Sequence, residues 1–402
     1  MEMRQRIIVV TLFVIYCCLH LHTPAHAGDE IVAAQRAADS INAFAFDLYN
    51  EIAKNEQGNI FFSPQNISSA LAMLHAGADG ETERELRTTL HYGDTIHEDM
   101  RALQEILNTT SQDVALVEAA CAVWPAKNLT LLEPYVKTIR KYYDSDITQL
   151  DYANNPRGAE GRINGWANEK TRGKIPQIVS NLPNITQLVL TSAIYFNSEW
   201  QVPFPKIATR KETFYHPRLS AKRLDLMLNR NHFRYAETEV FQALQMQYKQ
   251  EVYSMLVLLP KGRENTVLFD TPLSFGTFDD ILRSLTSSSE VVVCFPKFKL
   301  ETDYEMGNIL AAMGIKRSFA DSAQFAKLAD TKLKVDRVIH KTFIELNEER
   351  TEAAAATTIS MVPTSSGTIP KIFIADHPFV YFILENRTNA ILFMGRFTGQ
   401  DR

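Results

Sequence analysis

The segment Glu348 to Pro370, EERTEAAAATTISMVPTSSGTIP, is the most informative stretch of this 402-residue sequence. It is rich in alanine and hydroxyl-bearing residues, and it lies between two apolar segments with strand-like composition. A connection of this length without secondary structure is uncommon inside a compact domain. The segment therefore calls for an explanation.

Residues Thr351 to Met361 could form a strand with one uncharged face. Because side chains alternate between the faces of a strand, the face that begins with Thr351 holds only Thr, Ala, Ile and Met, whereas the opposite face begins with Glu352. The β-branched Thr357 and Ile359 favour a strand. Alanine is also the best helix former, so composition alone equally allows a helix or a solvated loop.

The first 27 residues have the pattern of a cleaved secretory signal. Arg4 and Arg6 precede an apolar run from Ile7 to Cys18, and Ala25-His26-Ala27 is a small-x-small cleavage pattern. The run is shorter than the roughly 20 residues that cross a bilayer. We predict a signal peptide over 1–27 and a secreted mature chain over 28–402, without membrane attachment.

The composition of the chain is typical of a folded globular protein. Hydrophobic residues make up 45% and charged residues 22%. The net charge is −5 and the sequence contains no long block of like charges, so nucleic acid is not expected as a partner. No repeat or flexible linker divides residues 28–360, so one large α+β domain is the simplest interpretation.

Hydrophobic patterning predicts helices in the first half and buried strands later. Residues Glu30 to Lys54 have amphipathic helical spacing, and Ile67 to Ala78 is apolar nearly all round, as in a helix inside a large domain. Short continuous apolar runs predict strands buried on both faces at Leu188 to Tyr195, Tyr253 to Leu259 and Val291 to Phe295.

Common catalytic motifs are absent from the sequence. There is no G-x-S-x-G, H-E-x-x-H, C-x-x-C, G-x-x-x-x-G-K-[ST] or G-x-G-x-x-G. The isolated His75 lies within an apolar helical pattern, where a metal ligand is not expected. We assign no metal and no cofactor, and we expect that the protein is not an enzyme.

The residues EERTEAAAAT, Glu348 to Thr357, closely resemble the hinge of the reactive-centre loop of serpins, whose loop inserts into their own sheet. The resemblance implies a single serpin domain over 28–402, with three β-sheets and an exposed reactive-centre loop at about 348–371. Other serpin-like blocks cover nearly all of the mature chain: NIFFSPQNISSALAMLHAGADGET from Asn59, INGWANEKTRGKIPQIV from Ile163, LTSAIYFNSEWQVPF from Leu190, FPKFKLETDYEMGNILAAMGI from Phe295 and DHPFVYFILENRTNAILFMGRF from Asp376.

The resemblance also implies particular functional residues. By family spacing, the scissile bond joins Thr364 to Ser365. The shutter and breach regions, where the sheet opens, would contain Ser63, Asn66, Ser192, Trp200 and His340. Asn66 stands where the family usually has Ser, and Ser192 stands where it usually has Asn. The hinge would comprise Glu348, Glu349, Arg350, Thr351, Glu352, Ala353, Ala354, Ala355 and Ala356.

Arg350 departs from the family pattern, because inhibitory members usually carry glycine just before the hinge threonine. Glycine would let the backbone turn freely as insertion begins. The Arg350 side chain belongs to the solvent-facing set and can reach water. We therefore expect Arg350 to slow insertion rather than to abolish it.

The resemblance implies an inhibitor that traps an extracellular serine protease in a covalent complex, and we expect the inhibitor to be a monomer. No Lys or Arg lies between Thr351 and Pro370, so a trypsin-like target is disfavoured. Val362, Pro363 and Thr364 suit an elastase-like enzyme, whereas cleavage after Met361 would suit a chymotrypsin-like one. The alternative is a non-inhibitory serpin-like carrier or binding protein, which Arg350 favours.

Three further predictions concern the surface and the cysteines. The resemblance implies that the sequon at Asn66 is buried. We therefore predict glycans at the other four sequons, Asn108, Asn128, Asn184 and Asn386. Lys137, Arg140 and Lys141 could bind a glycosaminoglycan, but their acidic neighbours favour a solvated face. After removal of the signal only Cys121 and Cys294 remain, and the resemblance implies two free buried thiols on different strands of the central sheet.

Overall fold

The computed structural model describes residues 24–111, 115–145, 147–349 and 369–400. Within these residues, six of nine α-helices end by residue 170, which confirms the helical first half. The helices are α1 (Pro24–Ala53), α2 (Pro64–Gly77), α3 (Gly80–Thr89), α4 (Ile96–Ser111), α5 (Glu133–Tyr143), α6 (Pro156–Lys170), α7 (Val267–Asp270), α8 (Phe275–Ser284) and α9 (Met306–Met313), with 3-10 turns at Lys206–Ala208, Lys249–Glu251 and Arg317–Phe319.

The smaller of two β-sheets has four strands in the order β2-β3-β10-β9. Its strands are β2 (Ala115–Pro125), β3 (Leu188–Ser198), β9 (Phe298–Glu305) and β10 (Arg337–Leu346). The outer strands pair antiparallel with their neighbours. The two central strands, β3 and β10, instead run parallel to each other.

The larger sheet has nine strands in the order β1-β13-β12-β7-β6-β5-β8-β11, with β4 paired to β5. The three sheets that the resemblance implies appear as two, because the 16-residue β5 belongs to both parts of this sheet. It pairs with β4 over 222–226, with β8 over 226–235 and with β6 over 234–237. The strands are β1 (Ile60–Phe62), β4 (Arg210–Phe214), β5 (Lys222–Glu237), β6 (Phe241–Gln247), β7 (Tyr253–Pro260), β8 (Thr286–Pro296), β11 (Lys371–Ile374), β12 (Phe379–Glu385) and β13 (Ile391–Phe397).

Helix α2 lies between the two sheets. Pro64 occupies its first turn, and the Ser63 hydroxyl caps its N-terminus by accepting from the Asn66 amide at 3.1 Å. Twelve of its fourteen residues are buried, and it contacts β2 and β3 of one sheet and β13 of the other. This confirms the prediction of an apolar helix in the interior.

The other patterned segments also form the predicted elements. The three apolar runs become β3, β7 and β8, and all eight residues of β7 are buried. Helix α1 begins at Pro24, so the predicted cleavage site after Ala27 falls in its first turn. Cleavage of the signal stays a prediction. None of the described helices is long and apolar enough to span a membrane.

The two cysteines of the predicted mature chain are free but do not share a sheet. Cys121 lies in β2 of the four-stranded sheet, whereas Cys294 lies in β8 of the nine-stranded sheet. The expectation that both belong to the central sheet is therefore wrong, because the Val291–Phe295 run pairs with β5 and β11. Both residues are partly rather than fully buried.

We predict that Gly395→Ala destabilises the protein. Gly395 lies in β13, where an added Cβ would be 2.5 Å from Tyr381 Cζ and 2.7 Å from the Ile60 carbonyl oxygen. Such overpacking costs about 1–3 kcal/mol or more. We expect a thermal midpoint several degrees lower by circular dichroism at a fixed scan rate. Gly161→Ala in α6, where nothing lies within 4 Å of the new Cβ, is the control, and an equal midpoint for both variants would contradict the packing argument.

Candidate functional site

The candidate site is the junction of β3 and β10, which we call the seam. Eight consecutive residue pairs join the two parallel strands, from Arg337 opposite Val189 to Ile344 opposite Phe196. Strand β10 ends at Leu346, and only Asn347 separates it from Glu348 and Glu349, the first two residues of the predicted hinge. The predicted loop therefore leaves the sheet at one end of the seam.

The predicted shutter residue His340 crosses the middle of the seam. It lies in β10 opposite Ser192 of β3, and its Nδ1 is 2.9 Å from the Ser192 hydroxyl. Its Nε2 accepts from the backbone N–H of Ser63 at 3.0 Å. Because Nε2 is an acceptor, the neutral ring carries its proton on Nδ1, which donates to Ser192. One imidazole thus joins β3, β10 and the start of α2.

Asn66 connects the same cluster to β2. Its Nδ2 donates to the Ala193 carbonyl at 3.2 Å, and its Oδ1 accepts from the Cys121 thiol at 2.8 Å. Burial raises the pKa of the Cys121 thiol to about 12, so the thiol keeps the proton that it donates. Asn66 is 2% exposed, which leaves no space for a glycan at this sequon.

The opposite face of the seam is covered by the segment that follows α6. The rings of Tyr195 in β3 and Phe343 in β10 lie side by side, with centroids 5.6 Å apart. Lys174 Nζ lies 5.6 Å from the first centroid and 5.1 Å from the second, within the range of cation–π attraction. Its charge therefore interacts with one ring on each strand of the seam.

The predicted breach residue Trp200 closes the end of the seam where the hinge begins. Its Nε1 donates to the Asn347 carbonyl at 3.0 Å. Its ring stacks on Tyr248, with centroids 4.5 Å apart and an interplanar angle of 9°. Trp200 therefore ties the start of the hinge to the end of β6.

The first hinge residue, Glu348, is held as a buried carboxylate. Its side chain is an ion pair with Lys297 at 2.9 Å and accepts from the Thr209 hydroxyl at 2.6 Å. Burial raises the pKa of this carboxyl, but the hydrogen bonds from Thr209 and Lys297 outweigh burial and leave the pKa below its usual value. Glu349 forms an ion pair with Lys206 at 3.0 Å.

The structure thus brings the predicted shutter and breach residues together at the seam and joins Glu348 and Glu349 to its end. Three contributors were not predicted: Cys121, Lys174 and Lys297. Their sequence neighbourhoods contain no signal for the role, because each acts through a partner that is distant in sequence. Other predicted positions lie outside the described residues: Arg350, Thr351, Glu352, Ala353, Ala354, Ala355, Ala356, Thr364 and Ser365.

The predicted glycosylation sites differ in their surroundings. Asn108, Asn128 and Asn184 are exposed. Asn386 is partly buried, and its Nδ2 donates to Gln247 Oε1 and to the Glu251 carbonyl, each at 2.7 Å. A glycan at Asn386 would displace both hydrogen bonds. All four sites stay predictions.

The basic residues of α5 have local partners. Lys137 lies 3.6 Å from Glu133, and Lys141 donates to the Tyr142 hydroxyl at 2.8 Å. Both lysines are on the surface of the helix, and the interpretation as a solvated face stays a prediction.

We predict that protonation of His340 contributes to acid destabilisation. Burial lowers the pKa of His340 to about 3, whereas a histidine in the unfolded chain titrates near 6.5. The unfolded state therefore binds the proton more tightly than the folded state. The stability that neutral His340 contributes is complete above pH 6.5 and is lost as the pH falls toward 3. At pH 5 the loss is about 2 kcal/mol.

The measurement is the thermal midpoint at pH 7.5 and at pH 5.0. We expect the difference between the two midpoints to be smaller for His340→Gln than for wild type, even if the variant has a lower midpoint at each pH. His232→Gln, which removes an exposed histidine, should keep the wild-type difference. Equal differences in wild type and His340→Gln would refute the assignment.

Comparison with known proteins places this arrangement in a family. Residues 39–399 match the family model described as Serpin (serine protease inhibitor). An uncharacterised serpin-like protein of Methanosarcina acetivorans is 36% identical over 366 residues, 88% of this chain and 86% of that protein. Serpin B6 of Pongo abelii is 32% identical over 372 residues, 90% of this chain and 98% of that protein.

A solved structure gives the same result. The mouse protein-Z dependent protease inhibitor matches with a TM-score of 0.82 and 25% sequence identity, covering 92% of this chain and 99% of that chain. Members of this family are in general inhibitors of proteases rather than enzymes. The chain belongs to the serpin family.

Proposed function

We propose that this protein is a secreted suicide-substrate inhibitor of serine proteases, with an elastase-like target ranked before a chymotrypsin-like one. The observation that carries the proposal is the parallel seam, which ends where the hinge begins. A strand that returns from the end of β10 can enter this seam without any change of connectivity.

Insertion is favoured by the direction of the strands. A chain that turns back after Glu348 runs antiparallel to both β3 and β10. It would replace one parallel interface with two antiparallel ones, and parallel pairing is slightly less stable per residue. About a dozen newly paired residues, at about 1 kcal/mol net per hydrogen bond, supply on the order of 10 kcal/mol.

The length of the inserted segment moves the cleaved bond past the sheet. Fourteen residues from Thr351 to Thr364 at about 3.4 Å each span about 48 Å. The ten residues of β10 span only about 34 Å at the same rise. Full insertion therefore carries Thr364 beyond the Arg337 end of the seam.

Trapping requires that insertion is faster than deacylation. The protease serine oxygen attacks the carbonyl carbon of Thr364, and the amide nitrogen of Ser365 leaves with a proton as a new amino terminus. The protease is then joined to Thr364 by an ester. Water would hydrolyse this ester and release active protease, unless insertion first displaces the catalytic groups from the ester.

The shutter and the buried Glu348 oppose insertion until the loop is cut. Insertion must separate His340 from Ser192 and the ring of Tyr195 from that of Phe343. The chain can then reach its most stable form only after cleavage frees one end of the loop. This restraint keeps the intact protein in the form that a protease meets.

The function is tested by incubating the purified protein with pancreatic elastase, chymotrypsin and trypsin separately. We expect a complex that resists denaturing electrophoresis with elastase or chymotrypsin, and a released 38-residue peptide, Ser365 to Arg402, by mass spectrometry. The cleaved protein should be more heat-stable than the intact one. Cleavage with continued turnover and without a rise in thermal stability would support the carrier alternative and exclude inhibition.

A matched pair of hinge variants tests insertion itself. Thr351 belongs to the uncharged face that must enter the core, whereas Glu352 belongs to the opposite face. We expect Thr351→Arg to abolish the covalent complex while the loop is still cleaved, because an unpaired charge would be buried. Glu352→Arg should retain trapping. The ratio of complex to cleaved inhibitor on a gel is the readout, and equal ratios for both variants would contradict the assigned faces.

A further inference from the structure

Two histidines from different helices lie side by side near the end of α2. His75 is in the last turn of α2, and His97 is in the first turn of α4. The centres of their imidazole rings are 5.5 Å apart, and the ring planes are inclined by 45°. In the sequence His75 stands alone within an apolar helix, where a metal ligand is not expected. The fold supplies a second histidine that no sequence motif indicates.

His75 has one ring nitrogen engaged and one without a partner. Its side chain is 7% exposed, and its Nε2 lies 3.0 Å from Glu83 Oε1 in α3. A carboxylate only accepts, so Nε2 carries the proton and donates it to Glu83. The neutral ring then has its lone pair on Nδ1. This buried atom has no hydrogen-bond partner among the described residues, whereas buried polar atoms are normally paired.

His97 offers a second nitrogen in the same neighbourhood. Its Nδ1 is 2.6 Å from the Tyr143 hydroxyl in α5. When Nδ1 carries the proton and donates to this hydroxyl, the lone pair of the neutral ring lies on Nε2. The described residues offer Nε2 no hydrogen-bond partner. Each of the two rings can therefore be anchored through one nitrogen and can bind a ligand through the other.

Both rings are neutral at pH 7. Burial lowers the pKa of His75, although the hydrogen bond to Glu83 opposes the shift. Burial, together with the nearby ring of His75, lowers the pKa of His97 to about 4. Metal ions bind histidine through the neutral imidazole. The pair is therefore in its metal-binding form without having to release a proton.

The spacing of the rings fits two ligands of one tetrahedral ion. Zinc–nitrogen bonds of about 2.0–2.1 Å at a tetrahedral angle place two ring centres about 5 Å apart. A metal-ligating histidine also donates its other ring N–H to a carboxylate, a carbonyl or water, which fixes the tautomer and the ring orientation. Glu83 holds His75 in this way, and Tyr143 is placed to hold His97.

The charges around the pair are balanced. Glu83 and Glu98 bring negative charge near the rings, and Arg87 and Lys327 bring positive charge. Arg87 is itself paired with Glu83 at 2.8 Å and with Asp94. Within the part of the chain that the structure describes, no cluster of three or more His, Cys, Asp or Glu side chains could hold a metal ion. The site would therefore have two protein ligands, with water in the remaining positions.

We propose that His75 Nδ1 and His97 Nε2 together bind a divalent transition metal ion, Zn²⁺ or Cu²⁺. Imidazole is a favourable ligand for both ions. A bound ion joins the end of α2 to the start of α4 and stabilises the folded protein by mass action. The inference does not depend on the proposed inhibitory function, because neither the loop nor the seam contributes a ligand.

The test is a calorimetric titration of the untagged, secreted protein with ZnCl₂ and, separately, with CuSO₄ at pH 7.5. We expect one ion per chain, with Cu²⁺ bound more tightly than Zn²⁺. His75→Gln and His97→Gln each remove one ligand and should weaken binding by more than about tenfold. His232→Gln, which removes an exposed histidine elsewhere, should bind like wild type.

Two further measurements distinguish a metal site from a purely structural role of the histidines. Tyr143→Phe keeps both imidazoles and removes only the partner of His97, so we expect its zinc affinity to fall about tenfold. Electron paramagnetic resonance of the Cu²⁺ complex should show two nitrogen ligands in wild type. Saturating Zn²⁺ should raise the thermal midpoint of wild type by several degrees and leave that of both histidine variants unchanged.

Two outcomes would overturn the proposal. One is the absence of binding by wild type at about 0.1 mM of either ion, because mass action then gives no stabilisation. The other is binding that persists in both histidine variants, which would place the ion elsewhere on the chain. Thermal midpoints in EDTA show whether each variant folds. If one histidine variant does not fold, the other and Tyr143→Phe decide the result.

Discussion

The parallel pairing of β3 with β10 is the constraint on which the rest of the structure depends. In the four-stranded sheet every other neighbouring pair is antiparallel. The pairing leaves a place for a strand of opposite direction, and the chain that leaves β10 can supply one. In the intact sheet the two strands of the seam pair directly with each other, and the proposed insertion would replace this pairing with two antiparallel ones. Under the proposed function, the fold stores free energy in strand order rather than in strained geometry.

The residues around the seam hold its two strands together, but only through a few contacts. His340 holds the middle of the seam with two neutral hydrogen bonds, and Glu348 holds its end with a paired charge. Net hydrogen bonds contribute about 1 kcal/mol each, and those to charged groups somewhat more. These few contacts are weak compared with the gain from a whole inserted strand. Under the proposed function, they would set how fast the sheet opens and would leave the final state unchanged.

The sequence predicted those parts of the fold that depend on local patterns. Continuous apolar runs identified α2, β3, β7 and β8, because an element that is buried on all sides has few polar residues. The shutter residues were identified only through resemblance to a family. Cys121 and Lys297 were missed, because their partners Asn66 and Glu348 are over fifty positions away along the chain. The sheet of Cys294 was misjudged because an apolar strand does not reveal its neighbours.

The position of β13 has a consequence for how the protein is made. Strand β1, near the start of the chain, pairs with β13, near its end, and Asn59 accepts from the Thr398 amide at 2.8 Å. Synthesis at about 5–20 residues per second delivers β13 last. The early helices must therefore wait on or near the ribosome with part of their core uncovered. Since α2 contacts β13, the interior closes only when β13 has emerged, and the nascent chain needs protection from aggregation until then.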